Sequence, residues 1–162
     1  MTVSVKILSD GALGFEGLGE QLYQILCTIC EPSECGDARV DSRFFPDPSS
    51  SGEIDALLED WKAFVVPDLH SGFQSARAAV TADLRGAEKG EDGLMRFRIP
   101  ARHINFWVSA LTQARLALSE LHSLTEADMQ RAPSDFDDPR EFVLLRFGIY
   151  GMMLEWLVRV ID

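Results

Sequence analysis

At 162 residues the chain has the length of one domain, and a chain of this size buries roughly 68–70% of its unfolded surface without needing staples. Its 46% hydrophobic and 25% charged residues are ordinary for a soluble globular protein. The net charge of −11 repels phosphate backbones and anionic membrane surfaces, which sets aside nucleic acid and membranes as direct ligands.

Val3, Val5 and Ile7 alternate with polar residues, Ser9-Asp10-Gly11 supplies a turn, and Leu13 and Phe15 follow. This pattern predicts a short β-hairpin. The opening segment lacks a basic stretch followed by a long apolar run, so it does not read as a signal peptide. Leu18, Leu22, Ile25, Leu26 and Ile29 recur at helical spacing and predict a first helix that stops before Pro32. Residues 31–51 then read as a long connection with Pro32, Pro46, Pro48 and a serine run. Phe44-Phe45-Pro46 lies inside it, and two adjacent rings are expected to dock on the bundle.

The clearest periodicity follows. Ile54, Leu57, Leu58, Trp61, Phe64, Val65, Leu69, Phe73, Ala76, Val80 and Leu84 keep one helical phase. Ser50 and Glu53 resemble a capping box at its start. Pro67 interrupts the run without losing the phase, which predicts one long helix kinked between Ala63 and Pro67, or two tightly joined helices. Residues 86–93 read as a polar loop, and 94–99 alternate as a strand that would pair with the hairpin. Pro100 suits the first position of a helix running from Ala101 to about Ser123, with Ile104, Trp107, Val108, Leu111, Leu118 and Leu121 inward. Thr125 and Asp128 are placed to cap a short helix. Asp138, Pro139 and Glu141 give the last helix an N-cap, an N1 proline and an N3 glutamate.

That last helix, residues 140–162, is apolar almost all the way round. Gly148, Gly151, Glu155 and Arg159 mark its one narrow polar strip. A surface helix would show one apolar stripe, so this one is expected at the centre of a bundle or in a seam between two subunits. Arg146, Glu155 and Arg159 interrupt it too often for a membrane span.

Three cysteines form the densest chemical cluster. Cys27-Thr28-Ile29-Cys30 has the Cys-x-x-Cys spacing, with Cys35 beyond it. A redox pair of this kind needs a stabilised thiolate, typically at a helix N-terminus, whereas these residues fall in the last turns of a helix, where the dipole disfavours it. Small core residues or a redox switch both fit the pattern. No second Cys-x-x-Cys completes a zinc site. An odd cysteine count without a secretion signal suits a reducing cytoplasm.

His70, His103 and His122 show no metal-ligand spacing. His103 reads as a core or rim residue, and the other two as surface residues. The acidic runs Glu53-Ile54-Asp55, Glu59-Asp60 and Asp135-Phe136-Asp137-Asp138 read as an outer helix face and as capping, not as a calcium loop. No phosphate loop, nucleophile elbow or dinucleotide fingerprint is present in the sequence.

Two arginines stand inside apolar sectors: Arg115 between Val108, Leu111 and Leu118, and Arg146 among Phe142, Ile149, Tyr150, Met153 and Leu157. A buried guanidinium without acceptors is costly. Each is therefore expected either to clamp carboxylates or carbonyls between helices or to line a pocket for a small anionic ligand. Arg96, Arg98 and Arg102 would extend such a pocket, or form a solvated face.

An Asp10-Gly11 turn precedes a first helix, then come Arg43-Phe44-Phe45-Pro46, Trp107, Leu111-x-x-x-Arg115-Leu116-Ala117-Leu118 and a strongly apolar last helix. In this order of features the chain resembles the bacterial domain-of-unknown-function family two thousand and seventeen, common in actinobacteria, over nearly its whole length. Where the family pattern carries an Asn-Asp pair after the leucine, Thr112 and Gln113 stand here. The resemblance implies a helical cytoplasmic protein, with a gene often near that of the Clp-protease adaptor. It implies no established catalytic activity and transfers no catalytic residue.

The sequence therefore predicts a single, mainly α domain over residues 1–162: a bundle of three to four major helices with a small antiparallel β element, from the hairpin and the strand near 94–99. Its composition and patterning lean away from an enzyme, and imply neither a cofactor nor a bound metal. They favour an acidic regulatory or adaptor protein that pairs through its C-terminal helix as a homodimer and contacts a further protein. A thiol-based regulator using Cys27, Cys30 and Cys35 is one alternative; a small anionic-ligand binder or enzyme using Arg115 and Arg146 is another.

Overall fold

The computed structural model describes residues 2–46, 55–135 and 137–162. The capping box expected at Ser50 and Glu53, the residues Ile54 and Phe136, and the serine run lie outside the described residues. The fold is mainly α with a small antiparallel sheet, as the sequence predicts.

The hairpin joins β1 (Ser4–Ile7) to β2 (Leu13–Leu18). β4 (Met95–Ile99) pairs with β2, and β3 (Glu88–Lys89), inside the segment expected to be a loop, adds an edge, giving the order β1-β2-β4-β3. Alternation works here: Leu13, Phe15, Phe97 and Ile99 are buried on one face of the sheet. β2 ends in a bulge between Phe15 and Leu18. Gly17 adopts φ +80° there, and a Cβ would lie 2.7 Å from the Thr2 carbonyl oxygen, so glycine fits where other residues would clash.

α1 (Glu20–Leu26) is shorter than the periodicity suggests. Leu18 belongs to β2, and Ile29 is buried from the turn that follows α1. The described part of the expected connection carries a 3-10 turn, Pro32–Glu34, and α2 (Ala38–Phe44), capped by the Asp37 side chain. As expected, its aromatic pair docks: Val40 and Phe44 are buried against Ala117, with Phe45 and Phe73 alongside. With only Val40 and Phe44 on its apolar face, the helix is too short for a period to show in the sequence.

The kink expected between Ala63 and Pro67 takes the form of a π turn, Trp61–Val65, joining α3 (Asp55–Asp60) to α4 (Val66–Arg85). Pro67 has no N–H to bond to the preceding turn, and the wider turn absorbs the missing bond. The apolar phase does continue, but its burial does not. Ala76, Val80 and Leu84 are in the core, while Leu57 and Phe64 are 62% and 69% exposed.

α5 (Ile104–His122) is the central helix. α4 packs on one part of it and α7 (Pro139–Ile161) on another. Ile104, Trp107, Leu111, Ala114 and Leu118 line its buried face. Trp107 stacks on Phe97, which stacks on Phe15, so the sheet is keyed to the helices through three rings with centroid spacings of 5.6 and 4.9 Å. The Trp107 indole N–H donates to Asp83 at 2.9 Å, and His103 Nδ1 meets the same carboxylate at 2.9 Å, so His103 occupies the rim position expected of it. α6 (Glu126–Gln130) opens with the expected Thr125/Asp128 capping box. Asp138 caps α7 through the Arg140 N–H, while Glu141 pairs with Arg131 instead of completing a box. No described helix is long and apolar enough to cross a membrane.

Candidate functional site

Arg146 projects from α7 toward the turn after α1. Its Nε donates to Thr28 Oγ1 at 3.1 Å and to the Tyr150 hydroxyl at 3.3 Å. Its terminal nitrogen donates to the Thr28 carbonyl at 3.2 Å, and the Glu31 carboxylate stands 3.7 Å away. Thr28 and Tyr150 complete the network at 2.6 Å from one another. Burial pushes the Tyr150 hydroxyl pKa up, against the lowering effect of its bonds to Thr28 and Arg146. Arg146 is thus a clamp of the kind its position predicts, holding the end of α1 against the last helix.

Arg115 sits differently. Its guanidinium carbon lies 4.2 Å from the centre of the Phe147 ring, a cation–π arrangement. Its Nε is buried without an acceptor, and burial pulls its pKa down. Gly151 makes room for it: a Cβ there would come within 3.2 Å of the guanidinium. Arg115 and Arg146 therefore face different surroundings, and neither lines the cavities of about 670, 570, 430, 240 and 210 Å³ found among the described residues. Arg96 and Arg98 pair with Glu88 and Asp10 on the exposed sheet.

The three cysteines are free thiols. Cys27 caps the C-terminus of α1 and is exposed. Cys30 is half-buried, with its Sγ 3.6 Å from the Arg77 carbonyl and 3.7 Å from Thr81 Oγ1. Burial pushes the Cys30 thiol up, which disfavours thiolate. Cys27 and Cys30 line a cavity of about 210 Å³ with Tyr23 and Thr81, and Cys35 stands outside it. No group of three or more His, Cys, Asp or Glu side chains among the described residues is arranged to hold a metal ion.

One polar cluster escaped the sequence reading. Arg77 on α4 is only 8% exposed, donates from Nε to Glu34 at 3.1 Å and from Nη1 to Gln113 Oε1 at 2.7 Å. Gln113, itself buried, donates to Ser109 at 3.2 Å. The cluster ties the turn before α2 to α4 and α5, beside an open cavity of about 670 Å³ that His70 and Arg85 also line. Its signal was present: Arg77 follows Phe73 by four residues and precedes Val80 by three, within the inward stripe.

A partly exposed apolar seam runs along α7. Phe142 and Met152 are exposed, and Leu145, Ile149 and Trp156 are half-buried, their inner sides packed on the core. They follow one another by three, four, three and four residues, a continuous seam along the side of the helix. A second apolar stripe, Leu57, Trp61, Phe64 and Val65, runs along the arm formed by α3 and the π turn.

No curated protein and no solved structure matches the chain. A family model, Domain of unknown function (DUF2017), matches residues 9–161, and the chain belongs to that family.

Proposed function

We propose that the protein is a cytoplasmic bacterial regulator or adaptor that works through protein–protein contacts and pairs with a second copy through α7. The observation that carries this reading is the seam of Phe142, Leu145, Ile149, Met152 and Trp156 on the open side of α7. Spacings that average 3.5 residues are those with which one helix packs along another. An apolar strip left partly exposed along a helix is a candidate interaction surface. The free thiols suit a reducing compartment, and the net charge of −11 favours protein partners over phosphate-bearing ones.

Light scattering at micromolar concentration tests the pairing. The expected mass is twice the 18.0 kDa of one chain, and Met152→Glu should return it to the monomer value, since a charge in the seam is left unpaired on association. A strictly monomeric wild-type protein would sink the proposal.

A second reading has its own observation, the acceptor-less Nε of Arg115. A small carboxylate or phosphate ligand would meet that need bidentately. Thermal-shift screening of such metabolites against wild type and Arg115→Met tests it; hits that persist unchanged in the variant end this reading.

A further inference from the structure

The arm that leads into α4 carries an apolar face that no other element packs substantially against among the described residues. Leu57, Trp61, Phe64 and Val65 stand at i, i+4, i+7 and i+8, the spacing of one helical face. In the core half of the same helix this face is covered by α5 and the sheet. Along the arm, the substantial contacts are with the helix's own continuation, and Leu57, Phe64 and Val65 are exposed. Further along, the face runs into an apolar groove of about 430 Å³ between α4 and α5, with Val65, Leu69 and Phe73 on one wall and Phe106 on the other. Gly72 lies in the groove with nothing within 4 Å of a Cβ placed on it, which leaves room for a second backbone to approach.

The charges beside this face select the occupant. Asp60, one turn before Phe64 at the margin of this face, and Asp68, which lines the groove, are both exposed, against one lysine, Lys62, in the same stretch. A second copy would bring the same acids against them, in a chain that already carries −11, and like charges across an interface oppose association. An anionic membrane is repelled for the same reason. We infer that this groove takes an amphipathic helix from a different protein, apolar on one face and lysine- or arginine-rich along its edges. Helix-in-groove recognition uses this combination of apolar anchors and complementary flanking charge. The inference rests on the reading that the protein acts through protein contacts, and it adds the kind of partner. Because α5 separates α4 from α7, the partner's groove and the pairing seam use different parts of the bundle.

The test uses the full chain and a synthetic helical peptide of leucine and lysine with one apolar face, followed by calorimetry at low and high salt. Wild-type protein should bind, more weakly as salt rises. Phe64→Glu should weaken binding at least about tenfold, or about 1.4 kcal/mol, although it makes the arm more acidic. The exposure of Phe64 keeps the fold out of the experiment, which circular dichroism would check. A leucine–glutamate peptide of the same pattern should not bind, and Met152→Glu should leave binding intact. Tighter binding by Phe64→Glu would show bare charge attraction and overturn the inference. Equal binding of both peptides would overturn it too, as would loss of the dimer mass in Phe64→Glu, which would place a second copy on the arm. A monomeric wild type that still binds the peptide would remove the pairing proposal and leave this one standing.

Discussion

The two faces on which α7 meets the rest of the bundle treat an arginine in opposite ways. Against α1, Arg146 finds a hydroxyl, a carbonyl, a phenol and a carboxylate. At the α5 seam, Arg115 of α5 finds the Phe147 ring and Gly151 of α7, and its Nε has no acceptor. Both side chains project into apolar sectors of their helices, so helical phase alone does not separate them. What differs is the neighbour. Arg146 meets the turn after α1, where the Thr28 carbonyl accepts a second hydrogen bond beside that from the Glu31 N–H. Arg115 meets the middle of α7, whose carbonyls are already used within the helix.

This contrast can be broken most strongly at Arg146. Arg146→Met removes the charged donor to Thr28 and Tyr150 and loosens the turn that holds Ile29 in the core, although the Thr28 carbonyl keeps its bond from the Glu31 N–H. A loss of about 1.5–3 kcal/mol is expected, the range for hydrogen bonds that involve a charged group, read from urea unfolding. A neutral result would mean that the clamp adds nothing to packing alone. Arg115→Met should have the opposite or no effect. The methionine keeps contact with Phe147 and removes a desolvated cation without a carboxylate, so stability should be unchanged or higher by up to about 1 kcal/mol. A loss larger than this would show that the ring contact outweighs the burial penalty.

The smallest effect sharpens the comparison. His122 titrates below its ordinary value, first because it is partly buried and then because Arg146 and Arg140 are near. With Arg146 replaced by methionine, its pKa should move back toward 6.5, visible in ring-proton NMR titration. The sign for stability follows. The unfolded chain binds this proton more readily than the folded one, so stability present above the unfolded pKa falls as pH drops through it toward the folded value. Arg146→Met should flatten that acid dependence; an unmoved His122 would mean that burial and the other arginines, not Arg146, lower its pKa.

Much of this architecture was legible in the chain because it is local. The caps at Thr125 and Asp138, the hairpin and the kink before Pro67 all rest on residues within a few positions of each other. α2 and β3 were not legible because they are too short for a period to emerge; α2 is held by Phe44 against Ala117, and β3 by its pairing with β4. The Glu34–Arg77–Gln113 cluster draws on three separated segments. Arg77's place in the inward stripe marked it as needing acceptors, but not which ones.

Sequence periodicity by itself decided which residues of each long helix are apolar, and therefore that the protein is mainly helical with one sheet. It could not decide what covers each apolar face, because a stripe of leucines and aromatics is written the same way whether it meets its own core or another molecule. Tertiary structure made that choice. α5 covers Ala76 and Val80 of the long helix, while among the described residues no other element packs substantially on Leu57 and Phe64. On α7 it buries Tyr150 and Leu157 and leaves Phe142 and Met152 in the open.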